Sequence, residues 1–340
     1  MEANFETIDF VTPDGITCNL KHLLHNATAS KGPVLLVHGA GVRANIFNPP
    51  TPKNIIQVLA EDGYDVWLEN WRGSIDLPPN QWNLDQVALN DHPAAVRTII
   101  EKTGAKEIKA IIHCQGSTSF MISAALGLVP EVKVIISNAV SLHPVVPRFS
   151  RFKLNVVLPL IKLAFHYLNP KWGLHAPDFK SRLLRLIVRA SHAEADTMVG
   201  KFVSFTYGTG FPALWRLENL DEATKTWIQY EFAEVPVSFF EHMQKCVAKG
   251  ELVPFERNGQ VPENYVSAPK TDARIILFGG ALNLCFRPES QQHTYDHLNK
   301  LRPGYHKLYI LEKYSHLDVF FGKNAHEDVF PLMLKELNHC

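Results

Sequence analysis

The segment Lys109-Ala-Ile-Ile-His-Cys-Gln-Gly-Ser-Thr-Ser-Phe120 passes from an apolar, strand-like run directly into a helical pattern. Cys114 stands at the junction, where a sharp strand-to-helix turn can present a nucleophilic side chain. Gly116 supplies the small residue that such a tight turn needs, whereas Ile112 occupies the position where another small residue is usual. The segment therefore predicts a cysteine nucleophile at the tip of a backbone turn.

The sequence on either side of this segment alternates between strand-like and helix-like patterns. Apolar runs rich in β-branched residues indicate buried strands at 33–38, 64–68, 107–113, 132–137, 273–278 and 306–311. Helical spacing occurs between them at 53–61, 84–102, 117–128, 289–301 and 319–337. An antiparallel hairpin is expected at 7–11 and 16–24. This alternation predicts an α/β fold with a doubly wound, mostly parallel sheet.

One long segment interrupts the alternation. Between about 141 and 269 the pattern contains helix-like pieces rich in aromatic residues and no convincing strand. We therefore predict a core made of residues 1–140 and 270–340, with residues 141–269 inserted before the penultimate strand as a helical cap, or lid. The aromatic residues of the cap are expected to serve mainly in ordinary packing.

Composition excludes several classes of protein and partner. The chain has 340 residues, 46% of them hydrophobic, and 34 Lys+Arg balance 34 Asp+Glu. This balance gives no electrostatic support for binding nucleic acid, or for binding a membrane through a polybasic segment. The N-terminal sequence lacks signal-peptide character, and no apolar run is long enough to span a membrane. Five cysteines without a CxxC pair argue against a disulfide framework and a zinc site. We expect a cytoplasmic protein without metal or cofactor.

A thiol at position 114 would be activated by its surroundings, since the positive end of a helix and a neighbouring histidine both stabilise a thiolate. The sequence His38-Gly-Ala-Gly41 follows an earlier strand, where backbone N–H groups can face an oxygen that becomes negative during acyl transfer. We predict an oxyanion hole formed by the N–H groups of Ala40 and Gln115. His38 itself is expected to play a structural role in this loop.

The base and the residue that orients it are expected at the same edge of the sheet. His316 follows the last predicted strand and is the best candidate for the base, whereas His113 is expected to point to the opposite side of its strand. Asn283 follows the penultimate strand, where a carboxylate would be usual, and we predict a Cys-His-Asn triad. Asp318 and Asn138 are alternative orienting residues.

Five pieces of sequence together resemble the cysteine-containing α/β-hydrolases: HGAG, YDVWLENWRGSIDLP, DHPAAV, HCQGS and SHLDVFFGKNA. They are similar in particular to the hydrolase-like region of some cholesterol-oxidase-type proteins. A narrower resemblance is to trans-acting fungal polyketide thioesterases of the decarestrictine type, which form medium-ring lactones. That resemblance implies that Cys114 accepts an acyl chain from a carrier-protein thioester of a polyketide synthase. The departures at Ile112 and Asn283 argue against a routine esterase.

The sequence therefore predicts an acyl-transferring thioesterase. It would load a polyketide or hydroxyacyl chain onto Cys114 and release it by macrolactonisation if the cap excludes water, or by hydrolysis if water enters. A general carboxylesterase or lipase is the first alternative. A non-catalytic protein that binds an apolar ligand in a hydrolase-type pocket is the second.

Overall fold

The computed structural model describes residues 4–24, 29–256, 261–267 and 269–339. Their central feature is an eight-stranded sheet in the order β1-β2-β4-β3-β5-β6-β9-β10. The strands of this sheet are β1 Phe5–Val11, β2 Thr17–Leu23, β3 Pro33–Val37, β4 Asp65–Asn70, β5 Ile108–His113, β6 Val132–Asn138, β9 Arg274–Gly280 and β10 Lys307–Leu311. The pairs β1–β2 and β2–β4 are antiparallel and the other pairs are parallel.

The helices lie between and after the strands. They are α1 Ile55–Glu61, α2 Leu84–Gln86, α3 His92–Thr103, α4 Gln115–Ala125, α5 Arg148–Phe152, α6 Leu158–Ala164, α7 Phe179–Ser191, α8 Met198–Tyr207, α9 Glu222–Trp227, α10 Val237–Lys249, α11 Glu289–Leu301, α12 Asp318–Phe321, α13 Ala325–Asp328 and α14 Phe330–Leu337. Helix α1 contacts α14, and α4 contacts α2 and α3. The fold is the predicted α/β arrangement, although the single helix expected at 319–337 is divided into α12, α13 and α14.

Burial explains why the central strands form. Every residue of β3 is buried, and β6 exposes only Lys133. Continuous apolar strands of this kind require cover on both faces, which is the condition of a parallel sheet between helices. Parallel strands also bring their carboxyl ends to one edge, where the segments after β5, β9 and β10 meet.

The segment between β6 and β9 contains helices α5 to α10. A π-helical stretch, Lys153–Val157, joins α5 to α6, so that 148–164 is one continuous helical run. The expectation of no strand here was wrong in one detail, because Tyr167–Leu168 (β7) pairs antiparallel with Val235–Pro236 (β8). A two-residue ladder is too short to give a periodic pattern. None of the helices in the described ranges has the length and apolar character needed to cross a bilayer.

Candidate active site

Cys114 lies between β5 and α4 in a backbone conformation that side-chain-bearing residues rarely adopt, with φ 58° and ψ −124°. Close backbone contacts hold it there. A Cβ on Gly39 would lie 2.8 Å from the Cβ of Cys114, and a Cβ on Gly116 would lie 2.3 Å from the carbonyl oxygen of His38. These glycines let the loop after β3 pack directly against the turn, so the predicted sharp turn is present.

Two backbone N–H groups are directed at the sulfur. Those of Gln115 and Ala40 lie close enough to Cys114 Sγ to favour its thiolate form, and they are the pair expected for the oxyanion hole. Burial nevertheless raises the pKa of the Cys114 thiol to about 12, since the N–H groups offset only part of the cost of a buried thiolate. The thiol is therefore neutral at pH 7 in the resting protein.

His316 lies in the loop between β10 and α12, fully buried beside Cys114. One of its ring nitrogens is within 4.8 Å of the cysteine sulfur. Nδ1 is 3.1 Å from Asn283 Nδ2, and Nε2 has no hydrogen-bond partner among the described atoms, which leaves Nε2 for the sulfur. Burial lowers the pKa of His316 to about 3, so the ring is neutral. The structure thus brings Cys114, His316 and Asn283 together.

The orientation of the Asn283 amide fixes the proton on the His316 ring. Its Oδ1 accepts hydrogen bonds from the backbone N–H groups of Cys285 at 2.9 Å and Phe286 at 3.1 Å. The amide group must therefore turn its N–H side toward the ring, and an amide N–H can only donate. His316 Nδ1 is then an acceptor, and the neutral ring carries its proton on Nε2. A carboxylate at position 283 would impose the opposite tautomer.

The two alternative orienting residues do not contact the His316 ring nitrogens. Asp318 is buried and accepts hydrogen bonds from the backbone N–H groups of Ser315 and Arg216 and from the side chain of Asn219. Burial raises the pKa of Asp318 to about 6. Asn138 Nδ2 lies 2.9 Å from His113 Nδ1 and donates to the backbone oxygen of His316 at 3.3 Å. These two residues hold the loop and the neighbouring ring.

The expectation for His113 was wrong. Its ring lies 4.8 Å from that of His316, and one of its nitrogens is within 4.8 Å of both the Cys114 sulfur and a nitrogen of His316. The alternation of an extended strand does not predict this position, because the chain turns sharply at the next residue. His38, in contrast, bonds the Gly39 carbonyl through Nδ1 at 2.7 Å, as expected for a structural role.

The group of His113, Cys114 and His316 has the residue types of a zinc site, but its surroundings do not fit one. A histidine that binds metal through Nε2 carries a proton on Nδ1 and donates it to an acceptor. Here the N–H side of Asn283 faces Nδ1 of His316, and the N–H side of Asn138 faces Nδ1 of His113. The polarity of these contacts is the reverse of what a metal would require.

A largely apolar cavity of about 90 Å³ includes Cys114 in its wall. Residues that the sequence could not assign to it line its walls: Val146, Ser150, Lys153, Leu154, Val157, Leu158, Ile161, Leu168, Phe205, Thr206, Tyr207, Phe239, Phe240, Met243, Val247, Cys285 and Phe286. Most come from the segment between β6 and β9. Several are aromatic residues that we expected to serve mainly in packing. The apolar lining of this cavity suits an apolar chain.

Two polar groups stand out in this cavity. The Tyr207 hydroxyl is buried without a hydrogen-bond partner among the described atoms, and a Cβ on Gly41 would lie 2.1 Å from it. Lys153 Nζ donates to the backbone oxygens of Phe205, at 2.6 Å, and Gly208. Burial lowers the pKa of Lys153 to about 8. Both residues line the cavity.

Comparison with known proteins identifies the fold family of the chain. The family model for the alpha/beta hydrolase fold matches residues 32–322. The chain belongs to this family. The α/β-hydrolase is 24% identical to human lipase member K over 353 residues, which cover 96% of this chain and 86% of that protein. It is 22% identical to human gastric triacylglycerol lipase, covering 96% of this chain and 85% of that protein.

Solved structures show the same fold at low identity. A soluble variant of monoglyceride lipase from Saccharomyces cerevisiae, in complex with a substrate analog, gives a TM-score of 0.59 at 15% identity and covers 99% of this α/β-hydrolase and 94% of that chain. The structure of DcsB in complex with its substrate analogue gives 0.59 at 15% identity, covering 98% and 99%. The named relatives are lipases, so they support the hydrolase part of the resemblance. They do not support its narrower thioesterase or cholesterol-oxidase-type parts.

Proposed function

We propose that this chain is an acyl hydrolase of the lipase and esterase type, acting on carboxylic esters of apolar acyl groups, with Cys114 as its nucleophile. One observation carries the proposal. The sulfur lines an apolar cavity, with the backbone N–H groups of Ala40 and Gln115 near it and a ring nitrogen of His316 within 4.8 Å. The lipase names of its relatives favour ester substrates.

In the proposed reaction, Sγ attacks the ester carbonyl and the thiol proton passes to the leaving alkoxide by way of His316. The two N–H groups stabilise the oxyanion, and water then releases the acid from the acyl-cysteine. For Nε2 to accept the thiol proton, the neutral ring must move its own proton to Nδ1, where it meets the N–H side of Asn283. We therefore expect Asn283 to hold the ring in place while making His316 a poor base.

A second candidate is the thioesterase predicted from the sequence, and the sulfur of Cys114 is the observation that favours it. Acyl transfer from a thioester to cysteine exchanges one thioester for another and keeps the chain activated. With an oxygen ester, the tetrahedral intermediate readily expels the thiolate again, because a thiolate leaves more easily than an alkoxide. A polyketide or hydroxyacyl chain from a carrier protein could then leave as a medium-ring lactone if its hydroxyl reaches the carbonyl inside the cavity.

One experiment separates these functions. The full chain is incubated with matched acyl esters and small-thiol thioesters, including an ω-hydroxyacyl thioester, and the products are identified as acid or lactone. Intact-protein and peptide mass spectrometry then search for an acyl adduct on Cys114, with Cys114→Ala as the control. Faster turnover of esters supports the lipase-type function, and lactone from the thioester supports the second candidate. Ligand binding that survives Cys114→Ala, with no adduct or turnover, would show a non-catalytic binding protein.

Two further parts of the sequence prediction stay proposals. We propose that residues 141–269 act as the cap over the site, since most of the cavity wall comes from this segment. Cytoplasmic location is also kept as a prediction. Free thiols at Cys18, Cys114, Cys246 and Cys285 are compatible with a reducing compartment.

A further inference from the structure

The continuous helical run 148–164 exposes a stripe of large apolar side chains. Its members recur at spacings of three and four residues, which places them on one side of a helix. They are Phe149, Phe152, Val156, Leu160 and Leu163, with exposed fractions from 46% to 85%. The neighbouring side of the same run, with Leu154, Leu158 and Ile161, lines the cavity. The run therefore has apolar residues both toward the cavity and toward solvent.

Helix α7 carries a second stripe of the same kind. Phe179, Leu183, Leu186 and Ile187 are at least 48% exposed, whereas Ser181, Leu184 and Val188 on the other side are buried. We call the two stripes together the outer apolar face.

Two links connect the ends of the two helical runs, one direct and one through Phe205 of α8. Lys180, at the start of α7, donates to the backbone oxygen of Ala164, at the end of α6. At the other end, His192 packs on Phe205, and the carbonyl of Phe205 accepts a hydrogen bond from Lys153. The two stripes therefore belong to the same region of the surface.

Positive charge surrounds this face although the chain as a whole is neutral. Residues 148–191 contain nine Lys and Arg against a single acid, Asp178. The exposed cations are Arg148, Arg151, Lys162, Lys180, Arg182, Arg185 and Arg189. Within the described ranges, only Lys162 among them pairs with a carboxylate, that of Glu241. The balance of charge over the whole chain, from which no electrostatic support for membrane binding was expected, hides this local excess.

We propose that the outer apolar face docks on the surface of an anionic lipid bilayer. Large apolar side chains on paired helices, flanked by Arg and Lys, are what an interfacial helix needs to enter the headgroup region. The charge decides against a second copy of the chain, since two such faces would repel each other. Docking is independent of whether Cys114 hydrolyses an ester. Docking would place the helical run 148–164, which lines the cavity, against the bilayer, and the bilayer contains apolar acyl chains.

The test is flotation of the full chain with phosphatidylcholine vesicles, with and without phosphatidylglycerol. We expect binding to the anionic vesicles only, weakened at high salt. Leu163→Ser/Leu186→Ser and Arg182→Glu/Arg189→Glu are each expected to lower the partition coefficient at least about tenfold. The matched controls are Val11→Ser, which removes an exposed apolar side chain from β1, and Lys106→Glu/Lys133→Glu, which reverses exposed charges elsewhere. Circular dichroism melting checks that every variant folds.

Several results would overturn the proposal. Among them are no flotation with anionic vesicles, equal binding to neutral ones, or an equal loss in the controls. An acidic protein partner in place of a bilayer would give the first of these. A dimer that light scattering detects and that Leu163→Ser/Leu186→Ser dissociates would show a second copy on the face instead. Because flotation needs no substrate, failure of the proposed hydrolysis would leave this result intact.

Discussion

Replacing Asn283 by Asp should convert His316 into an effective base. A carboxylate at this position can accept the same backbone N–H groups, from Cys285 and Phe286, that now bond Oδ1 of the amide. Its second oxygen would face His316 Nδ1 and accept a proton from it. The neutral ring would then leave a lone pair on Nε2, directed at Cys114. No side-chain atom is added, so the packing of the buried site should be kept.

The size of the effect follows from the tautomer. In serine proteases the reverse change, Asp to Asn, lowers kcat about 10⁴-fold by imposing the wrong tautomer, which corresponds to about 5.5 kcal/mol of transition-state stabilisation. Part of this gain is lost here because the new carboxylate is buried. Its charge is partly compensated by three N–H donors, namely the two backbone N–H groups and the imidazole N–H. We expect Asn283→Asp to raise kcat/KM for an activated ester by about 10²-fold or more, within the usual range for general-base catalysis.

Alkylation provides a measurement that does not depend on substrate. The rate of iodoacetamide addition to Cys114, assigned by peptide mass spectrometry, is followed against pH. The wild-type rate should keep rising toward the thiol pKa of about 12, whereas Asn283→Asp should react at neutral pH through a thiolate–imidazolium pair. Asn83→Asp, at the first turn of α2, is the matched control. Identical alkylation profiles and identical kcat/KM in wild type and Asn283→Asp would refute the tautomer argument.

The remaining predictions concern three other buried groups. Asp318→Ala should lower the free energy of unfolding in urea by about 3 kcal/mol, because one buried and two half-buried N–H donors lose their acceptor, and a large shift in the alkylation profile of Cys114 would contradict its separation from the His316 ring. Lys153 has a folded pKa of about 8, so between about pH 8 and 10.5 the unfolded chain binds more protons and stability should rise with pH by about 3 kcal/mol. The free energy of unfolding of wild type should show this rise over the same pH values, and that of Lys153→Met should not. Equal slopes of the free energy of unfolding against pH in the two proteins would rule the effect out. Tyr207→Phe should raise the free energy of unfolding by about 1 kcal/mol, since it removes an unpaired buried hydroxyl, and should raise KM if that hydroxyl meets the substrate, with an unchanged KM excluding such contact.

Sequence was sufficient for the parts of the site that follow from sheet geometry. Cys114, Asn283 and His316 follow three parallel strands, and parallel strands end at one edge, so their approach could be predicted from order alone. The amide orientation of Asn283 could not. It depends on backbone N–H groups of Cys285 and Phe286 in a turn whose conformation no periodic pattern encodes.

Two other features were missed because a regular pattern or a whole-chain total was used where the local conformation or the local charge decides. The alternation of a regular strand placed His113 away from the nucleophile, but the chain leaves the extended conformation at Cys114. Whole-chain neutrality concealed the cations of residues 148–191, although a count over that segment alone would have found them. Which aromatic residues line the cavity depends on how the helices cross, and spacing along one helix does not contain that information.

The turn at Cys114 also bears on how such a protein can change over evolutionary time. Because Gly39 and Gly116 fix its position through backbone contacts, the place of the reactive atom does not depend on which atom it is. Cysteine and serine are close in shape, as are asparagine and aspartate, and a single nucleotide change can interconvert either pair. Under the proposed function, two such substitutions would give this site a Ser-His-Asp set of residues and would leave the backbone that positions it unchanged.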